Sequence, residues 1–138
     1  MRITHLGHSA VLVETDGARV LIDPGNFSDG WHGLTDLDAV LITHQHPDHA
    51  DPAHLPALVE ANPGAKVYVE PSIVPAAEAG KFPQIGGEAV AAGDQVVIGD
   101  LLVSAVGVVA SKWGGDVGDK LKDAMLKAIK RLVAELIA

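Results

Sequence analysis

The segment Thr43-His44-Gln45-His46-Pro47-Asp48-His49 packs three imidazoles and a carboxylate into the six residues from His44 to His49. Imidazole nitrogen and carboxylate oxygen are the donors that suit zinc and, with less selectivity, iron or manganese, because both are available as metal ligands at neutral pH. Three of the seven histidines of the chain lie here, directly after the apolar run Ala39-Val40-Leu41-Ile42. The chemistry this points to is metal binding. The plain alternative is a solvated polar turn that happens to be rich in histidine.

The pattern is His-x-His-x-Asp-His, and at His44, His46, Asp48 and His49 the chain resembles the metallo-β-lactamase superfamily. The resemblance implies that His44 and His46 hold one metal while Asp48 and His49 belong to a second. Side chains that leave a strand end alternately point to different sides, which fits such a division. Upstream, Gly7-His8-Ser9-Ala10-Val11-Leu12-Val13-Glu14 and Val20-Leu21-Ile22-Asp23-Pro24-Gly25 are similar to the lactonase-like branch of that family. By that resemblance Asp23 orients a ligand imidazole from behind, His8 supports the metal or contacts substrate, and Asp48 is the catalytic group that orients a water.

The resemblance runs from residue 1 to about residue 107. A full family domain draws a third histidine for the first metal, a bridging aspartate and a last histidine from a second half of comparable size. In this chain no histidine follows His54. Each metal position is therefore expected to keep two of its protein ligands, whereas a catalytic zinc normally has three and an open position for water.

Composition bounds the rest. A length of 138 residues suits one domain. The absence of cysteine removes disulfides, thiolate ligands and a cysteine nucleophile together. No charged leader or membrane-length apolar run is visible, so the expected location is cytoplasmic. A net charge of −8 argues against nucleic acid as a partner, since phosphate binding needs a basic surface.

Charge is unevenly placed. Six of the ten basic residues follow Ser111, against four of the eighteen acidic ones. This shift suggests a boundary, with residues 1–111 as a metallo-β-lactamase-like half-domain and 112–138 as linker and helix. The composition of the tail reads as that of a truncated domain carrying a graft or an engineered replacement. Lys112-Trp113-Gly114-Gly115 is the connector. Leu121, Met125, Ala128, Ile129, Leu132, Val133, Leu136 and Ile137 then recur at helical spacing, which predicts an amphipathic helix to Ala138, capped by Asp116 or Asp119. Such a helix could cover an apolar sheet face or pair two copies of the chain into a homodimer. Membrane binding is the weaker idea, because the polar face lacks aromatic anchors and the acidic body is repelled by anionic lipid.

The elements that must position the motif follow from alternation and turn residues. Strands are expected over 2–6, 10–14, 19–23, 39–43, 66–70, 95–98 and 101–106, with Asp16-Gly17 and Gly99-Asp100 closing hairpins. A helix should open at Asp51-Pro52 and stop at Asn62-Pro63-Gly64, and a shorter one should lie within 71–79. The fold class is α/β (α+β): half of the αββα sandwich that the resemblance implies, with one mixed, mostly antiparallel sheet, helices, and the C-terminal amphipathic helix. Among other polar residues, His54 should be exposed, His5 should face a sheet surface and His32 a loop. Asp51 reads as a helix cap before a ligand, and Glu70 and Asp116 as donors only if the fold brings them near.

Three functions fit this sequence. The first is a zinc-binding half-domain with an incomplete site for one or two ions and little or no catalysis. The second is a metal-dependent hydrolase, in which a water acidified by the metal attacks an ester, lactone or phosphoester. The third is an interaction module that works through the C-terminal helix.

Overall fold

The computed structural model of the protein describes residues 1–106. The connector and amphipathic helix expected over 112–138, and Asp116 with them, lie outside the described residues. Strands β1 (Arg2–Gly7), β2 (Ala10–Glu14), β3 (Arg19–Ile22), β4 (Ala39–Ile42), β5 (Lys66–Val69) and β6 (Glu88–Ala89) form one sheet in that order. Helix α1 (Leu55–Ala61) joins β4 to β5, and α2 (Ile73–Glu78) joins β5 to β6. A separate hairpin of β7 (Gln95–Ile98) and β8 (Leu101–Ser104) follows.

Alternation along the strands sorts the core into two layers. Leu12, Leu21, Val40, Ile42, Val67 and Val69 face the helical side, where Leu55 and Leu58 of α1, Ile73 of α2, Trp31 and Phe82 pack on them. Val11, Val13, Val20, Ala39 and Tyr68 point the other way, onto Ile98 and Leu101 of the hairpin. One helical layer on one sheet is half of a four-layer sandwich. The hairpin turn needs glycine at position 99, where φ is +57° and a Cβ would sit 1.9 Å from the carbonyl oxygen of Gly17.

The sheet is mixed, with a larger parallel share than the strand pattern predicts. β1–β2 and β2–β3 are antiparallel, whereas β3–β4, β4–β5 and β5–β6 are parallel. The cause lies in the connections. A tight turn at Asp16-Gly17 forces the antiparallel return, while the longer segments before β4, β5 and β6 allow crossovers.

Several boundaries also shift. α1 starts at Leu55 instead of Pro52, because Asp51 Oδ1 accepts the Ala53 N–H (2.9 Å) and holds 52–54 as a turn. It stops where expected. Asn62 is buried, donates from Nδ2 to the carbonyls of Leu34 (2.8 Å) and Leu58 (2.9 Å), and accepts the Leu37 N–H (3.1 Å), tying the helix end to the loop before β4. β8 ends at Ser104, and the two-residue β6 was not expected.

Candidate metal centre

Parallel pairing of β3 and β4, with Ile22 beside Leu41, puts the C-terminal ends of both strands at one sheet edge. Asp23 leaves β3 there and Thr43 leaves β4. The Asp23 carboxylate is fully buried and saturated: Oδ1 accepts the Thr43 N–H (2.8 Å), while Oδ2 accepts the Thr43 hydroxyl (2.6 Å) and the His49 ring N–H at Nδ1 (2.7 Å). A carboxylate can only accept, so His49 donates from Nδ1, and Nε2 is the ring nitrogen turned outward to where an ion would sit. Asp23 holds this position at φ +49°, a left-handed conformation that aspartate adopts more readily than most residues.

The motif turn is then clamped from below. The His46 carbonyl accepts the N–H groups of His49 and Ala50 (both 2.9 Å), Asn26 donates to the Pro47 carbonyl (2.9 Å), and Asp51 donates to that of Pro24 (3.0 Å). Ser9 Oγ donates to the Asp48 carbonyl at 2.7 Å. The Gly25 backbone lies so close that a Cβ there would come within 1.8 Å of the same oxygen. Trp31, 1% exposed, donates from Nε1 to the Gly25 carbonyl (3.0 Å) and fixes the loop in turn.

Above this clamp the donors converge. His44, His46 and Asp48 bring ligand atoms within 4.8 Å of one another, and so do His8, Asp48 and His49. Asp48 belongs to both groups. Its Oδ2 lies 2.9 Å from His8 Nε2 and 3.4 Å from His49 Nε2. The rings of His44 and His49 are centred 3.9 Å apart, those of His44 and His46 4.8 Å. Burial, reinforced by the neighbouring His49, holds the His44 imidazole below its ordinary pKa, which favours the neutral form that ligates. Burial alone would raise the Asp48 carboxyl. The hydrogen bond to His8 and the nearby His49 outweigh that and leave it below its ordinary value. Four imidazoles around one ionised carboxylate are a donor set fit for a borderline divalent ion.

The remaining expected donors separate from this group. Glu70 accepts from the Ser72 hydroxyl and joins none of the donor groups among the described residues. His5 is exposed on β1 and bonds the His8 carbonyl at 2.9 Å. His54 is exposed, as expected, and Asp51 caps the turn before α1 while also meeting His54. Sequence reasoning passed over Ser9, Gly25 and Trp31 as positioning residues, and Phe27, whose exposed ring stands 5.0 Å from that of His8. The glycine after Asp23-Pro24 was the one local signal of a close backbone approach.

A family model described as the beta-lactamase superfamily domain matches residues 2–133. Protein Rv0786c of Mycobacterium tuberculosis (strain ATCC 25618 / H37Rv) is 48% identical over 107 residues, which make up 78% of this chain and 48% of that protein. The chain thus spans about half the length of this relative. A protein of Chelativorans sp. (strain BNC1) named a UPF0173 metal-dependent hydrolase is 47% identical over 55 residues, 36% of this chain and 24% of that protein. Among solved structures, CmlA, a diiron beta-hydroxylase from Streptomyces venezuelae, superimposes with a TM-score of 0.58 at 20% identity, over 78% of this chain and 24% of that one. At that identity the likeness is one of fold.

Proposed function

Because the chain belongs to the beta-lactamase superfamily, we propose that it forms the metal-holding first half of a metal-dependent hydrolase site and by itself turns over little or nothing. The observation that carries this reading is the convergence of His44, His46, His49 and His8 on Asp48, with His49 locked from behind by Asp23. Zinc is the ion that this mixture of imidazole and carboxylate favours, with iron or manganese as substitutes. One carboxylate shared between two donor groups leaves both groups short if two ions bind. No further histidine is supplied between His54 and Ala138. Completion of the site then falls to donors outside this stretch or on a second copy.

A bound ion would supply Lewis acidity and lower the pKa of a water toward about 7. The chain's own residues would do the rest. His44, His46, Asp48 and His49 bind, Asp23 fixes the imidazole of His49, and His8 holds Asp48 in place. Phe27 stands edge-on beside His8. A second reading, a working hydrolase of esters, lactones or phosphoesters, is favoured by one feature: His44, His46 and Asp48 already reach the three protein ligands that one catalytic zinc needs. In that case Asp48 is both ligand and the group that orients the water.

The test is elemental analysis of protein purified without chelator, sized by light scattering and assayed on chromogenic esters, lactones and phosphoesters. Under the first reading zinc is retained, His44→Ala with His46→Ala loses about one ion or more per chain while staying folded, and no substrate is turned over. Turnover abolished by Asp48→Asn would establish the second reading instead. Unchanged zinc content in the double variant would refute both.

A further inference from the structure

We propose that His32, Asp51 and His54 form a second divalent-metal site, separate from the 44–49 motif, that clips the loop after β3 to the start of α1. Their ligand atoms lie within 4.8 Å of one another. Asp51 is the anchor: it is 3% exposed, its Oδ1 is committed to the Ala53 N–H (2.9 Å), and its Oδ2 faces His54 Nδ1 at 2.5 Å. The two residues stand three apart on one turn of backbone, the spacing at which a carboxylate and an imidazole project together from a helical turn and share an ion.

An Asp51–His54 pair alone would be an ordinary hydrogen-bonded cap. The third side chain changes that. His32, brought in by a turn in which its N–H bonds the Asp29 carbonyl (2.9 Å), lays its ring on that of His54 with centroids 4.3 Å apart and planes 26° from parallel. Stacked imidazoles repel each other once both are protonated, whereas an ion placed between their nitrogens and the carboxylate attracts all three. Trp31 forms the floor, edge-on to His32 at 4.4 Å and to His54 at 6.4 Å, and is itself pinned by its bond to Gly25. The ligands therefore start from positions fixed by packing. That reduces the ordering cost of binding.

Two imidazoles and one carboxylate select a borderline ion of the zinc class over magnesium or calcium, which prefer all-oxygen shells. Both histidines are exposed, so water completes the coordination and the ion exchanges directly with solvent. Binding takes the place of the Asp51–His54 hydrogen bond and ties residues 29–32 to the N-terminus of α1. The expected consequence is stabilisation of the folded chain by zinc even when the 44–49 motif cannot bind.

The experiment uses the full chain carrying His44→Ala, His46→Ala and His49→Ala, which breaks both donor groups of the motif, titrated with zinc chloride alone. One ion per chain bound, with a rise in melting temperature, is expected, and both should vanish when His32→Ala and His54→Ala are added. Binding or stabilisation that persists in the quintuple variant overturns the proposal, as does the absence of binding in the triple variant. If the variants do not fold, the wild-type chain serves. Long-range 1H–15N spectra of its histidine rings should show His32 and His54 shifting together on zinc addition, and rings that stay unmoved at saturating zinc overturn the site.

Discussion

At the residue scale the site depends on side chains that would not themselves bind metal. Asp23 spends its whole hydrogen-bonding capacity on Thr43 and His49, and removing its charge should loosen the ligand without disturbing the backbone. Asp23→Asn is expected to weaken zinc binding on the order of 10- to 100-fold, the usual effect of losing a partner behind a ligand, as read by competition with a chromogenic chelator. An unchanged affinity would show that His49 is not a ligand. Gly25 acts by what it lacks. Gly25→Ala places a methyl against the Asp48 carbonyl, against backbone that cannot step aside. A loss of about 3 kcal/mol in denaturant unfolding, with loss of zinc, is expected from such overpacking.

Elements then set which residues can meet. The parallel β3–β4 pair delivers Asp23 and Thr43 to one edge, and no change of side chain could substitute for that register. The antiparallel pairs at the other side of the sheet carry a charge clasp: Arg2 and Arg19 both face Glu14 across the ladder, at 2.7 Å and 3.1 Å. The hydrogen bond from Arg2, then that from Arg19, holds the Glu14 carboxyl below its ordinary pKa. A group whose folded pKa is depressed contributes stability that is fully present above the unfolded value and is lost as pH falls through the folded one. Melting curves between neutral and acid pH should therefore fall less steeply for Glu14→Gln than for the wild type. The difference should be small, because the Arg2 end of the clasp is exposed to solvent and screened. A steeper acid limb in the variant would show that the clasp is absent in solution.

For the whole molecule the decisive feature is what lies beyond the sheet. Outside the hairpin, Val97 and Leu102 pair directly and are both exposed, at 71% and 43%. An apolar outer face of this kind favours association unless it is covered. We propose that residues 112–138 or a second copy provide the cover. Deleting 112–138 is then expected to give aggregation or a larger assembly by light scattering. A soluble monomer that melts cooperatively would remove that role. Among the described residues no helix is long and apolar enough to cross a membrane.

The metal motif, the hairpin turns, the end of α1 at Asn62 and the alternation of strand faces were all legible in the sequence, because each rests on local chemistry: donor type, backbone freedom or a period of two. Three parallel pairings, the position of His8 against Asp48, and the meeting of His32 with Asp51 and His54 were not. They join residues 19 to 40 positions apart, and nothing in the spacing of side chains along the chain encodes which distant segments pack together. Thr43-His44-Gln45-His46-Pro47-Asp48-His49 by itself determined where side chains of metal-ligand type are concentrated in this protein. Only the tertiary structure decided that Asp48 stands at the centre of two donor groups, because burial of both faces of the sheet fixes where β1, β3 and β4 end.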